Sequence, residues 1–297
     1  MATATVDEAF ERYEAVRGRL PRADFPAVSA AVGDLSDIAD RFDVFVLDAF
    51  GVLNVGERPI PGAVERIAAL RAAGKRLVVL TNSATYSRAA NLAKYRALGF
   101  DFTAEEVVSS RDVAVAALPP RGLWATASGP SPDFSDIATP VEDLEADPSL
   151  YDRADGFLLL SSAGWTAARH ARMVEALADR PRPLIVGNPD LVAPRETGLS
   201  LEPGWWAHDI ADRTGVVPAF HGKPFASAFE AVRARCPGVD PARMAMVGDT
   251  LHTDVLGGRA AGLATVLITD HGLFAGRDVA GYIARSGIVP DIIARTT

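Results

Sequence analysis

Short apolar runs alternate with longer amphipathic segments along most of the chain, and several of these runs stop abruptly on a polar or glycine-containing turn. Val44-Phe45-Val46-Leu47 ends on Asp48 and breaks into Ala49-Phe50-Gly51. Leu77-Val78-Val79-Leu80 ends at Thr81-Asn82-Ser83, and Met244-Ala245-Met246-Val247 ends at Gly248-Asp249. Apolar runs of this length without polar alternation predict strands buried on both faces, as in a parallel sheet. Helix signals lie between them. Pro59, Pro61 and Gly62 precede an amphipathic run over 63–73 with Gly74 as its C-cap, and a second helix over about 86–98 closes on Gly99. A third runs from the Asp249 turn to Gly262, ahead of the strand Thr265-Val266-Leu267-Ile268. Strand, helix, strand, helix in this order implies a parallel sheet with right-handed crossovers.

The middle of the chain repeats the alternation with its own strands, Leu123-Trp124-Ala125-Thr126, Gly156-Phe157-Leu158-Leu159-Leu160 and Pro183-Leu184-Ile185-Val186, and so can bury a separate core. The expected organisation is an N-terminal helical arm over 1–40, an α/β core built from 41–104 and 219–297, and an inserted α/β domain over 105–218. No internal repeat or low-complexity tract interrupts it.

Composition narrows the class. At 297 residues, 48% of them hydrophobic, the chain suits about two domains of ~150 residues. A net charge of −8 disfavours nucleic acid as a partner, because phosphate-backbone binding needs a basic surface. A small anion remains acceptable where one Lys, a metal and backbone N–H groups make the site locally positive. The single cysteine, Cys236, cannot form an intramolecular disulfide and reads as structural, which fits a reducing cytoplasm. Asp7, Glu8 and Glu11 fit neither a secretory signal nor an acid-poor transit peptide, and no apolar stretch of about 20 residues is present to span a membrane.

In a parallel sheet, ligands bind beyond the carboxyl ends of the strands. Asp48, Thr81-Asn82 and Asp249, with Asp254 five residues later, would therefore meet at one edge. Carboxylates gathered there repel one another unless a cation sits among them, and an all-oxygen ligand set selects a hard ion such as Mg²⁺. Lys223, after Gly222, could then face the other side of an anion. Each piece alone also has a plain structural reading: a strand-end Asp as a helix cap, Thr-Asn as a turn, Gly-Lys-Pro as a surface loop. Their order, each at the end of an apolar strand or the start of a helix, is far more specific.

Leu47-Asp48-Ala49-Phe50-Gly51-Val52-Leu53, Leu80-Thr81-Asn82-Ser83, Gly222-Lys223-Pro224 and Val247-Gly248-Asp249-Thr250-Leu251-His252-Thr253-Asp254 together resemble the four motifs of the haloacid dehalogenase-like hydrolase superfamily. The Thr-Asn-Ser, Gly-Lys-Pro and Gly-Asp-x-x-x-Thr-Asp forms are similar to the class IIA branch of p-nitrophenyl phosphatase-like, phosphoglycolate and pyridoxal phosphate phosphatases. The resemblance covers about 40–296 and implies a three-layer Rossmann-like core with an inserted α/β cap that selects the substrate. It further implies a Mg²⁺-dependent phosphohydrolase acting on a small phosphorylated metabolite through an aspartyl-phosphate on Asp48. By the same resemblance, Mg²⁺ is held by Asp48, the Phe50 carbonyl, Asp249 and Asp254, while Thr81 and Lys223 bind the phosphoryl group. Backbone N–H groups at Ala49 and Phe50 complete the anion cradle. Asn82, and Asn188 and Asp190 of the Asn188-Pro189-Asp190 turn, contact substrate. A homodimer through the cap is a further expectation of the branch.

Phe50 departs from the pattern. Phosphatases of the superfamily carry there an Asp that protonates the leaving oxygen and later activates water. Phe50 can offer its carbonyl to a metal but cannot transfer a proton, so His252, His221 and Asp190 are the substitute acids the sequence offers. Two further readings follow from this residue: a phosphate-binding regulatory protein with weak or lost catalysis, and a metal-independent haloacid dehalogenase, whose motif has an aromatic residue at this place. The Asp249/Asp254 pair speaks against the latter, since two more anions without a cation would repel an anionic substrate.

Overall fold

Seven strands form the sheet that carries these polar ends, in the spatial order Ala30–Val32, Ile292–Ala294, Ala264–Ile268, Met244–Gly248, Val44–Leu47, Arg76–Thr81 and Val107–Ser109. The computed structural model describes residues 3–130, 132–195 and 198–297. Packing divides the chain into a core unit of 13–81, 88–108 and 223–297 and an inserted unit of 82–87 and 109–222, the latter joined by the chain up to Arg12.

In the core unit, the five pairings from Ala30–Val32 across to Arg76–Thr81 are all parallel. All four residues of Val44–Leu47 are buried. Phe45, Leu47, Val79, Ala245 and Val247 share one apolar cluster, while Val44, Val46, Val78 and Met246 are buried on the alternate positions. Burial of both faces makes this a three-layer α/β arrangement and explains the unbroken apolar runs. The register sets the site. Leu47 lies opposite Val247 on one side and Val79 on the other, so Asp48, Asp249 and Thr81 all emerge within two residues of the same level.

Two segments differ from expectation. The strand Val107–Ser109 belongs to the core sheet although the inserted domain was drawn from 105, because a three-residue strand leaves no period to read. The first 40 residues hold the helix Val6–Ala15 but also two short strands: Thr3–Ala4 pairs antiparallel with Gly198–Leu201, and Ala30–Val32 forms the edge of the core sheet beside Ile292–Ala294.

The inserted unit has its own five-stranded parallel sheet, in the order Val141–Asp143, Trp124–Ala127, Gly156–Leu159, Leu184–Val186, Ala219–Phe220. Numbered along the chain this is 2-1-3-4-5, with the order reversing between the first strand and the third. Phe157 and Leu159 enter one apolar cluster and Leu158 and Leu160 another, so this sheet too is covered on both faces. Arg111, wholly buried, grips the Asp136 carboxylate at 2.6 and 2.9 Å and donates to the carbonyls of Ala84 and Thr85, which ties segment 82–87 into the unit. Among the described residues no helix is long and apolar enough to cross a membrane.

Candidate active site

Asp48 follows the last paired residue of its strand, and its backbone N–H still donates to the Val247 carbonyl at 2.8 Å, which holds it against the neighbouring strand end. Its carboxylate accepts from the Ala49 N–H at 2.7 Å and from Lys223 Nζ at 2.6 Å. Lys223 is buried and bridges to Asp254 Oδ1 at 2.7 Å. Asp249 is buried as well; it accepts from the Leu273 N–H at 2.7 Å and the Thr250 hydroxyl at 2.9 Å. Asp254 sits on a single π-helical turn, Leu251–Val255, a local widening frequently found at functional sites. Its second oxygen accepts from the Thr250 N–H at 3.0 Å.

Carboxylate oxygens of Asp48, Asp249 and Asp254 all lie within 4.8 Å of one another. At that spacing, with an effective dielectric of ~20, each pair of full charges repels by roughly 3–4 kcal/mol. Burial, with Asp48 and Asp254 beside it, pushes the Asp249 carboxyl up to about 8. One Lys cannot neutralise three anions, so the donor set fits a hard divalent cation. The backbone packs closely on the Asp249 carboxylate: Gly51 and Gly272 both adopt positive φ, and a Cβ on either would stand 2.7 and 2.0 Å, respectively, from Asp249 Oδ2. Asp48, Asp249 and Asp254 are the side chains that could hold the cation.

A raised carboxyl pKa favours the folded state at low pH and loses that contribution as pH climbs through the folded value. The metal-free protein is therefore expected to lose stability between about pH 4, the unfolded Asp value, and about pH 8. Added Mg²⁺ should raise the melting temperature most at the alkaline end, where the proton it must displace is already gone. A melting temperature flat across this range, with or without Mg²⁺, would contradict the coupling.

Thr81 is buried, and its side chain is hydrogen-bonded to the Tyr95 hydroxyl. Tyr95 lies on the helix Arg88–Ala97; burial and the nearby Asp48 charge push its hydroxyl well above the usual phenol range. Tyr95 was not singled out from sequence, because within a helical pattern it reads as a core aromatic. Leu273 and Gly272 were also overlooked; a Gly shortly after the last long strand was the only signal.

Asn82, Asn188 and Asp190 form a second group, within the inserted unit. Asn82 Nδ2 donates to Asp190 Oδ1 at 2.8 Å, the Asp190 N–H donates to Asn188 Oδ1 at 3.0 Å, and Asn188 Nδ2 donates to buried Glu202 at 3.3 Å. Asp190 thus already accepts a hydrogen bond and anchors a turn. Of the other substitute acids, His252 is buried, 2.5 Å from Glu14 Oε1 and stacked on Tyr13, so it holds the N-terminal helix; burial pushes its pKa down. His221 is half-buried and likewise lowered by burial. Trp206 packs on His170 and Trp205 lies beneath the Arg12 guanidinium, which gives both a packing role. The Cys236 thiol is buried and pushed up, as befits a structural residue.

Residues 45–123 match the family described as haloacid dehalogenase-like hydrolase, and residues 220–295 match a HAD-hydrolase-like family. The glycerol-3-phosphate phosphatase of Gallus gallus is 30% identical over 84% of this chain and 88% of its own length. A possible sugar phosphatase of the HAD superfamily from Cytophaga hutchinsonii superposes with a TM-score of 0.77 at 25% identity, over 90% of this chain and 98% of that one. A glycerol phosphate phosphatase from Mycobacterium tuberculosis, solved in complex with magnesium, shares the fold with a TM-score of 0.68 at 24% identity, over 86% of this chain and 76% of that one.

Proposed function

We propose that this chain, which belongs to the haloacid dehalogenase-like hydrolases, is a Mg²⁺-dependent phosphohydrolase of a small phosphorylated metabolite that works through an aspartyl-phosphate on Asp48. The observation that carries this reading is the Asp48 carboxylate held by buried Lys223 inside a three-carboxylate cluster. When bound, Mg²⁺ supplies positive charge that offsets repulsion between carboxylate and phosphate.

The chain's own groups do the rest. An Asp48 oxygen bonds to phosphorus while the bond from phosphorus to the leaving oxygen breaks, that oxygen taking the electron pair and its proton from solvent. Water then attacks the same phosphorus, releasing inorganic phosphate and restoring the carboxylate. Lys223 faces the phosphoryl charge, the Thr81 hydroxyl oriented by Tyr95 bonds a phosphoryl oxygen, and the N–H groups following Asp48 add donors. Asn82, Asn188 and Asp190 are assigned to substrate recognition, and the inserted unit to specificity. A cytoplasmic setting accords with the lone buried thiol.

A screen of phosphate esters and anhydrides ordered by leaving-group pKa, run with Mg²⁺ and with a chelator, tests the proposal. Expected is hydrolysis only with Mg²⁺, falling steeply as the leaving group becomes more basic. Chelator-insensitive release of halide from haloacids, or tight phosphate-ester binding without turnover of any member, would replace it with the dehalogenase or the regulatory reading.

A further inference from the structure

Tyr13 and Glu14, at the end of the helix Val6–Ala15, are no part of the carboxylate cluster, and we propose that they are positioning residues for it: through His252 they hold the turn that carries Asp254. The inference rests on the Mg²⁺ site of the proposed phosphohydrolase and concerns how tightly that site is kept. His252 and Asp254 share the π-helical turn Leu251–Val255, all five residues of which are buried. A π turn is rare and departs from the regular helical period, so contacts from outside must keep its shape.

Two side chains of the turn supply such contacts. Asp254 bonds to Lys223 at 2.7 Å, and Lys223 in turn to Asp48 at 2.6 Å. The His252 ring stacks on Tyr13, with centroids 4.8 Å apart and planes 8° from parallel, and its Nε2 stands 2.5 Å from Glu14 Oε1. An ionised carboxylate can only accept, so Nε2 carries the proton and donates. That hydrogen bond, helped by the Arg17 and Arg285 guanidiniums, holds the Glu14 carboxyl below the usual carboxylate range, hence charged. The helix end is itself fixed, since Tyr13 and Val16 are buried in the core unit. Glu14, His252, Asp254, Lys223 and Asp48 thus form one line of bonded groups, in which only the two peptide links from His252 to Asp254 are covalent. A metal ligand is only as well placed as the groups behind it, and losing such a group typically costs roughly 10- to 100-fold in metal affinity.

The test reads Mg²⁺ binding directly, by calorimetric titration of the full-length protein without substrate. Glu14→Ala removes the acceptor and should raise the Mg²⁺ Kd by about 10-fold, the lower end of the range because the bond acts through the turn and not on the ligand itself. Glu14→Gln keeps an acceptor oxygen at the same reach and should recover most of the affinity. Arg12, on the same helix, bonds to Asp212 at 2.9 Å, and Arg12→Ala should leave Mg²⁺ affinity unchanged whatever it does to the melting temperature. In turnover, Glu14→Ala should need more Mg²⁺ for half-maximal rate, while kcat at saturating Mg²⁺ stays within about twofold. If this variant melts too low to titrate, Glu14→Asp, one methylene shorter, carries the same expectation. The proposal is overturned if the variant that is titrated loses melting temperature alone and binds Mg²⁺ as the wild type does, or if Glu14→Gln recovers nothing. A wild-type protein that binds no Mg²⁺ overturns the metal site along with it, whereas Mg²⁺ binding without any phosphatase turnover overturns the proposed function alone.

Discussion

Asp48→Asn is expected to lower kcat by ~10⁴-fold or more, the scale on which removal of a nucleophile is felt. The amide keeps the size of the carboxylate and can still accept from Lys223, which also retains its 2.7 Å contact to Asp254. Folding should therefore be little affected, and the loss should lie in chemistry. Rapid quenching of the wild-type protein with a labelled substrate should trap acid-stable, base-labile phosphate on Asp48, and the variant should trap none. Turnover retained within tenfold, or label found on another residue, would remove Asp48 as the nucleophile.

The second large effect runs in the opposite direction. Phe50→Asp should accelerate hydrolysis of alkyl phosphates by ~10²- to 10⁴-fold, the usual worth of a general acid–base group. Position 50 is held two residues beyond Asp48 by a bridge to Asn54 and by the Gly51 N–H donating to the Asn54 carbonyl at 2.9 Å, and its side chain is only half-buried. A carboxyl group can stand there without displacing core. Aryl phosphates, whose leaving groups need little protonation, should gain much less, so the slope of rate against leaving-group pKa should flatten. A fourth carboxylate also adds to the repulsion among three, and the variant should lean more heavily on Mg²⁺. No gain with alkyl esters would show that Phe50 is not a missing proton donor.

What could be read from sequence follows from how each residue announces itself. Asp48, Asp249 and Asp254 end or follow strong apolar signals, and parallel register brings strand ends to a common level, so their gathering was legible from the sequence, whereas Lys223 was placed by its Gly-Lys-Pro motif. Tyr95 was not, because the 3.6-residue period assigns it to a buried helix face without saying that its hydroxyl reaches Thr81. The strands Thr3–Ala4, Ala30–Val32 and Val107–Ser109 were missed for a different reason: two or three residues carry no measurable alternation, and only their partners define them. The sequence offers His252 as a substitute acid for the one missing at Phe50. Its pairing with Glu14 depends on a helix more than 200 residues earlier, a contact that local pattern cannot report.

The parallel register has a consequence for how the protein is made. Val44–Leu47 sits in the sheet between Arg76–Thr81 and Met244–Gly248, so one of its two partners is synthesised about 200 residues after it. At the ~5–20 residues per second of translation, that strand waits roughly 10–40 s on the ribosome with one apolar edge unpaired. Such an edge is a template for pairing with other nascent chains. The inserted unit, whose five-stranded sheet falls wholly between Trp124 and Phe220, is complete before the wait ends and can fold first. The chain thus gains its nucleophile early and the sheet that positions it last, and its yield in cells should depend on chaperones that shield Val44–Leu47 in between.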